Sequence, residues 1–196
     1  MVAATLVKSG KRLILPFDAE ICSPQDGSEK QDCEVQAAKR LVGRVRREHP
    51  QLALIVTGDD LYSHVPFVQE CEKARLHYVL VAKPDSHKEL FEWVEDVERL
   101  RASEHLEWHV GPACSRKFYQ ARIVRGVPLR ADGEVEVNFV EVWERDKDGE
   151  TLYHNSFVTD LEITAKNVSE SRGNWTGEME DRKRAVQHPK ESRVSL

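Results

Sequence analysis

The apolar run Leu52-Ala53-Leu54-Ile55-Val56, which stops on Thr57-Gly58-Asp59-Asp60-Leu61-Tyr62, constrains the fold more than any other stretch of the chain. Continuous apolar residues over strand length fit a strand buried on both faces of a parallel sheet. Ligand chemistry in such sheets collects at the carboxyl ends of the strands, where Asp59 and Asp60 would stand. The plainer reading of the same residues is a turn aspartate or a helix N-cap.

The flanking sequence extends this unit. Pro66 suits the first turn of a helix running to about Leu76, with Phe67, Val68, Cys71 and Ala74 at helical spacing, and Tyr78 to Ala82 is a second apolar strand closed by Lys83-Pro84. Strand, helix and strand in about 30 residues predict a right-handed crossover and a parallel pair. Ser86 and Glu89 form a capping box for a helix carrying Leu90, Phe91, Val94, Val97 and Leu100, expected to end near Ser103. Upstream, Val2 to Val7 and Leu13 to Phe17 read as two strands or one broken strand. A turn-rich stretch, Ser23 to Ser28, precedes an amphipathic helix from about Asp32 to Glu48. Its apolar face is Val35, Ala38, Leu41, Val42 and Val45. Lys39, Arg40, Arg44, Arg46 and Arg47 form a basic face that is either solvated surface or a contact to a DNA backbone.

From Phe118 to Asp160 the pattern turns extended. Tyr119 to Val127 and Leu152 to Leu161 are strand candidates, and Asp132-Gly133 and Asp148-Gly149 are hairpin turns. Val135, Val137 and Phe139 alternate with polar residues before the phase slips to Val140 and Val142, which predicts a bulge near Phe139. His105 and His109, four apart, have the spacing of a metal pair on a helix, but they lie beyond the helical pattern with no third ligand nearby. Thr164 to about Val186 is a helix candidate weakened by Gly173 and Gly177, and the chain beyond His188-Pro189 is expected to fray.

No apolar run approaches the roughly 20 residues that span a bilayer, and Lys8, Lys11 and Arg12 make a poor signal peptide, so a cytoplasmic protein without a membrane partner is expected. Cys22, Cys33, Cys71 and Cys114 are too dispersed for a zinc or redox motif and read as separate reduced thiols. A net charge of −5 argues against wrapping of nucleic acid by the whole surface, leaving the clusters Lys39 to Arg47 and Arg182 to Arg184 as local DNA contacts.

The strings PQDGSEKQDCEVQAAKR at 24 to 40, GDDLYSHVPF at 58 to 67, VAKPDSH at 81 to 87 and NSFVTDLEITAKNVSE at 155 to 170 resemble DDE transposases of the IS4-like group, in order over about residues 12 to 180. The resemblance implies a ribonuclease H-like fold in which two aspartates and a glutamate hold two Mg²⁺ (or Mn²⁺) ions for DNA cleavage and strand transfer. It implies that Asp59 is the second catalytic, metal-binding aspartate, from the aspartate-x-x-tyrosine pattern at Asp59-Asp60-Leu61-Tyr62, with Asp60 oriented away or one step removed from the metal. Glu178 is implied as the metal-binding glutamate, from Asn174-Trp175-Thr176-Gly177-Glu178. The implied partners are DNA, as transposon ends and target, and a second copy or a full-length transposase.

Three departures from the family pattern imply a chain that does not cleave DNA itself. The first catalytic aspartate would lie upstream of Met1, and Asp18, Asp26 and Asp32 do not match it. Asn174 replaces an arginine, and Ala185 stands where a lysine is expected. The expected architecture is a partial ribonuclease H-like α/β fold with an antiparallel β insertion before the C-terminal catalytic helix: core over 1–103, insertion over 104–160, catalytic helix over 161–187 and disordered tail over 188–196. Truncation of the first strand is expected to expose a sheet edge.

Overall fold

The computed structural model describes residues 1–8, 14–23, 30–112, 116–164 and 192–195. Its elements, in chain order, are β1 (Val2–Lys8), β2 (Ile14–Glu20), α1 (Lys30–Glu48), β3 (Leu54–Gly58), a short 3-10 turn (Asp60–Tyr62), α2 (Val65–Lys73), β4 (His77–Val81), α3 (Lys88–Arg99), β5 (Glu104–Val110), β6 (Lys117–Pro128), β7 (Glu136–Arg145), β8 (Thr151–Thr159) and β9 (Ser192–Ser195). The fold is mixed α/β, as the alternating pattern predicts. The nine strands among the described residues share one sheet in the order β2-β1-β9-β3-β4-β8-β7-β6-β5.

The apolar run centred on Ile55 is an internal strand: β3 pairs in parallel with β4, in the register Val56↔Tyr78 and Gly58↔Leu80. The antiparallel block is continuous with this pair, because β8 joins β4 through Val79↔Thr159 and Val81↔Phe157. β5 to β8 then form a meander.

The sheet is apolar on both faces. One cluster joins Ala38, Leu41 and Val45 of α1, Phe67 and Val68 of α2, and Leu90 and Val94 of α3 to Val56, Tyr78, Leu80, Val137 and Phe139. The other holds Ile55, Val79, Val81, Ala121, Ile123, Val140, Val142 and Phe157, with Leu161 and Ile163, and no helix among the described residues contributes to it. This division explains the apparent phase slip in β7, since Val137 and Phe139 serve one face and Val140 and Val142 the other. The predicted bulge lies instead on the facing strand, where the register shifts between Val124 and Val127 and Gly126 has φ +63°. Asn138 binds across it, accepting from the Gly126 amide at 3.2 Å and donating to the Leu161 carbonyl at 2.8 Å. Both predicted hairpin turns form, with Gly133 and Gly149 at positive φ.

Three sequence expectations are corrected. Ser86 does not cap α3: the N-cap is His87, without a side-chain cap, and Glu89 accepts from the Ala131 amide at 2.8 Å. Residues 104–110, expected in the β insertion although the extended pattern is read only from Phe118, already form strand β5, which alternates between intermediate and exposed residues. The tail expected to be disordered contributes β9, inserted between β1 and β3. The sheet edges among the described residues are therefore β2 and β5, and β3 is not an edge. A four-residue strand in a mainly polar tail is too short to show as alternation. The predicted helix over Thr164 to Val186, and Glu178 with it, lies outside the described residues apart from Thr164 itself.

The basic face of α1 is used within the molecule. Arg44 donates to Asp18 Oδ2 at 2.8 Å and to the Ala19 carbonyl at 2.7 Å, and Arg40 donates to Glu20 Oε1 at 3.1 Å and to the Ile21 carbonyl at 3.0 Å. Arg44 holds the Asp18 carboxyl below its ordinary range. Arg46 donates to the carbonyls of Ala74, Pro50, Leu52 and Arg75 at 2.8 to 3.1 Å and to that of His49 at 3.4 Å. One guanidinium thus ties the end of α1, the turn into β3 and the end of α2, where Arg75 has φ +52°.

Candidate functional site at the carboxyl ends of β3 and β4

The strand ends on Gly58, where a side chain would press on its neighbours. A Cβ there would lie 3.0 Å from Tyr62 Cδ2 and 3.2 Å from Leu80 Cδ2, so the glycine lets the Tyr62 ring fold back over the strand end. Tyr62 is buried and its ring packs 5.2 Å from that of Phe67. Burial, and then the charge of Asp59, push its phenol up to about 12, so it stays protonated at neutral pH.

The two adjacent aspartates have different environments. Asp59 is exposed, caps the 3-10 turn, and its carboxylate accepts from the Leu61 amide at 3.1 Å. Asp60 turns inward: Oδ1 accepts from the Lys83 amide at 2.7 Å, and Oδ2 accepts from the Ser86 hydroxyl. It therefore ties the loop after β3 to the loop after β4.

Beneath Asp60 lies a buried polar knot that the sequence does not reveal. Ser63 is fully buried, and its hydroxyl donates to the Asp60 carbonyl at 2.9 Å. That uses its only proton, so His87 Nε2, 2.7 Å away, donates to Ser63 Oγ and the ring is the neutral Nε2–H tautomer. The same nitrogen is 3.7 Å from Asp60 Oδ1, and the exposed His64 stacks on His87 with ring centroids 4.6 Å apart. A serine, a histidine and an aspartate are thus close together without forming a nucleophile. The hydroxyl is buried and bound to backbone, and the aspartate approaches the ring nitrogen facing the serine rather than the opposite one.

Burial, and next the proximity of His64, push His87 down to about 4 against the pull of Asp60. The unfolded chain takes up a proton near pH 6.5, while the folded chain resists it until about 4. Stability from this group is therefore complete above 6.5 and is lost as pH falls toward 4. The loss should reach about 3 kcal/mol, measured as the difference in urea unfolding free energy between pH 7 and pH 4. His87→Gln should remove most of this contribution, leaving the part that comes from carboxylates held low, such as Asp18.

The other histidine pair of the sequence is not a metal pair. His105 and His109 lie on β5, where four positions span about 13 Å. His105 Nε2 is 3.1 Å from Glu98, and the ring of His109 lies 6.3 Å from that of Phe118. Of the early aspartates, Asp18 is bound to Arg44 on an edge strand; Asp26 and the side chain of Asp32 lie outside the described residues. Cys22 and Cys71 are free thiols, and Cys114 lies outside the described residues. No described helix is long and apolar enough to cross a membrane.

For the implied Mg²⁺, the described residues offer the exposed carboxylate of Asp59 at the strand end. Among them no group of three or more His, Cys, Asp or Glu side chains is arranged to hold a metal ion. One carboxylate does not make a two-metal centre, so the described residues alone do not fit that group. Neither a family model nor a curated protein matches the chain.

Proposed function

We propose that this chain is a fragment of an IS4-like DDE transposase, built on a partial ribonuclease H-like fold, that does not cleave DNA by itself. The supporting observation is the division of labour at Asp59-Asp60. The first carboxylate is exposed at the carboxyl end of an internal parallel strand and makes only the cap bond to the Leu61 amide, and the second is tied into the fold by two loops; ligands of such sheets collect at strand ends. Glu178 is the proposed second acid of the site. In the intact family the chemistry is Mg²⁺-dependent cleavage and strand transfer, with DNA as partner.

A noncatalytic DNA-binding role through α1 is disfavoured by the engagement of Arg40, Arg44 and Arg46 with carboxylates and carbonyls of the same chain. Incubation of the purified chain with supercoiled plasmid and Mg²⁺ or Mn²⁺ should give no nicked circles above the metal-only control. Metal-dependent nicking that Asp59→Ala abolishes would overturn the inactive assignment in favour of a working nuclease.

A further inference from the structure

Among the described residues the sheet ends on β2 and β5, and the two ends are built differently. β2 carries Pro16, and its register with β1 shifts between Ala4 and Thr5. The carbonyl of Ala19, and that of Ile21 just beyond the strand, accept from Arg44 and Arg40 of α1. A proline, a register shift and covering cations are devices that keep a sheet edge from pairing with another chain.

β5 (EHLEWHV) has none of these. It contains no proline, lysine or arginine, and its register with β6 runs unbroken from Glu104↔Ile123 to Val110↔Lys117. No strand among the described residues pairs with its outer edge, so the backbone donors and acceptors on that side are open to a further strand.

The side chains of β5 are also complementary to their own reversed order. Leu106, Trp108 and Val110 form a half-buried row, and Leu106 and Trp108 pack on the apolar cluster that no described helix covers. His105, Glu107 and His109 form an exposed row on the face that carries α3, where His105 meets Glu98 at 3.1 Å. Glu107 is held at the edge by Gln120, which donates to its Oε1 at 3.2 Å, and His109 lies against the ring of Phe118.

A second copy related by a two-fold axis normal to the sheet would lie antiparallel to β5, with each row kept on its own face. Centred on Glu107, the pairing would set that carboxylate against its own copy and His105 against His109. Centred on Leu106, it would set Glu104 against Trp108. Centred on Trp108, it sets Trp108 against Trp108, Leu106 against Val110, and Glu107 against His109 on both sides of the axis. Apolar side chains then meet apolar ones, and each carboxylate meets a ring N–H donor.

We propose that β5 is the surface through which two copies of this chain pair, edge to edge about a two-fold axis at Trp108, into one continuous sheet. The occupant is a second copy because both rows find matching partners when the strand meets itself reversed. The axis consumes both β5 edges and leaves only the blocked β2 edges at the ends, so association closes at the dimer. The pairing needs neither metal nor Asp59 and is independent of the transposase reading.

The test is sedimentation equilibrium of the full chain at pH 7 without metal or DNA, which should show a monomer–dimer equilibrium and no larger species. His109→Glu sets carboxylate against carboxylate on both sides of the axis and should weaken the dimer about tenfold, whereas adding Glu107→Lys restores opposite charges and should recover most of that loss. Both positions are exposed, so the variants keep the fold. On the wild-type chain, amide exchange from Leu106 to Val110 should slow as concentration rises through the dimerisation range, a readout that needs no variant. A chain that stays monomeric to millimolar concentration, association that continues beyond the dimer, unchanged exchange in β5, or a His109→Glu chain that dimerises as tightly as wild type would overturn the proposal. The plasmid assay, which decides the transposase reading, is untouched by any of these results.

Discussion

Arg46→Ala should destabilise the chain by about 3–4 kcal/mol, more than any other single truncation of a charged side chain on α1. The side chain donates to five backbone carbonyls at the point where α1, the turn before β3 and the end of α2 meet. Carbonyls at helix ends have no intrahelical partner, and a charge-assisted donor replaces the water they would otherwise need. Removing the guanidinium takes the donor from two part-buried carbonyls, those of Ala74 and Leu52, and unties the three exposed ones. Arg46→Lys keeps the charge but loses the planar fork, and should recover less than half of the loss. Urea unfolding at neutral pH measures both. A loss for Arg46→Ala no larger than that for its exposed neighbour Arg47→Ala would contradict the clamp.

The second large effect is expected on the opposite half of the sheet. Glu141 is 6% exposed on β7; its Oε2 accepts from Arg122 Nε at 3.0 Å and Nη2 at 2.6 Å, and its Oε1 is 2.7 Å from His154 Nε2. Arg122 also donates to Glu95 at 2.9 Å, which fastens α3 to the strands beneath it. Arg122→Ala strands the Glu141 carboxylate in a buried site with only a histidine beside it, and should cost about 3–5 kcal/mol. Replacing both partners with apolar residues, Arg122→Met with Glu141→Leu, should return the chain to within about 1 kcal/mol of wild type, because no unpaired charge remains. Thermal or urea unfolding of the two variants separates the cost of an orphaned charge from the net worth of the pair.

These sites show where the sequence was readable. The crossover unit from β3 to β4 and the helices α1 to α3 were legible because their apolar residues recur at strand or helix period and their ends carry glycine or proline. The meander was legible from its two Asp-Gly turns. What the period could not show was two-sided burial in β7, which imitates a bulge, or a strand as short and polar as β9. The sequence placed Asp59 at the strand end, but not the partners of Asp60. Ser63 and His87 are 24 residues apart and meet only because the loops after two parallel neighbours lie side by side. The basic stripe of α1 was visible, whereas its acceptors on β2 and at the end of α2 depend on tertiary placement.

Of the two adjacent acids, Asp60 joins two loops of the fold while Asp59 makes one weak cap on an exposed turn, and the proposed function assigns the metal to Asp59. Equilibrium unfolding of Asp59→Ala and Asp60→Ala, measured side by side at pH 7, tests this division most directly. The expected loss is about 0.5 kcal/mol for Asp59→Ala, the worth of one weak cap on an exposed turn, and about 1–2 kcal/mol for Asp60→Ala, which removes two charge-assisted hydrogen bonds joining the loops after β3 and β4. Equal losses, or a larger loss for Asp59→Ala, would contradict this division.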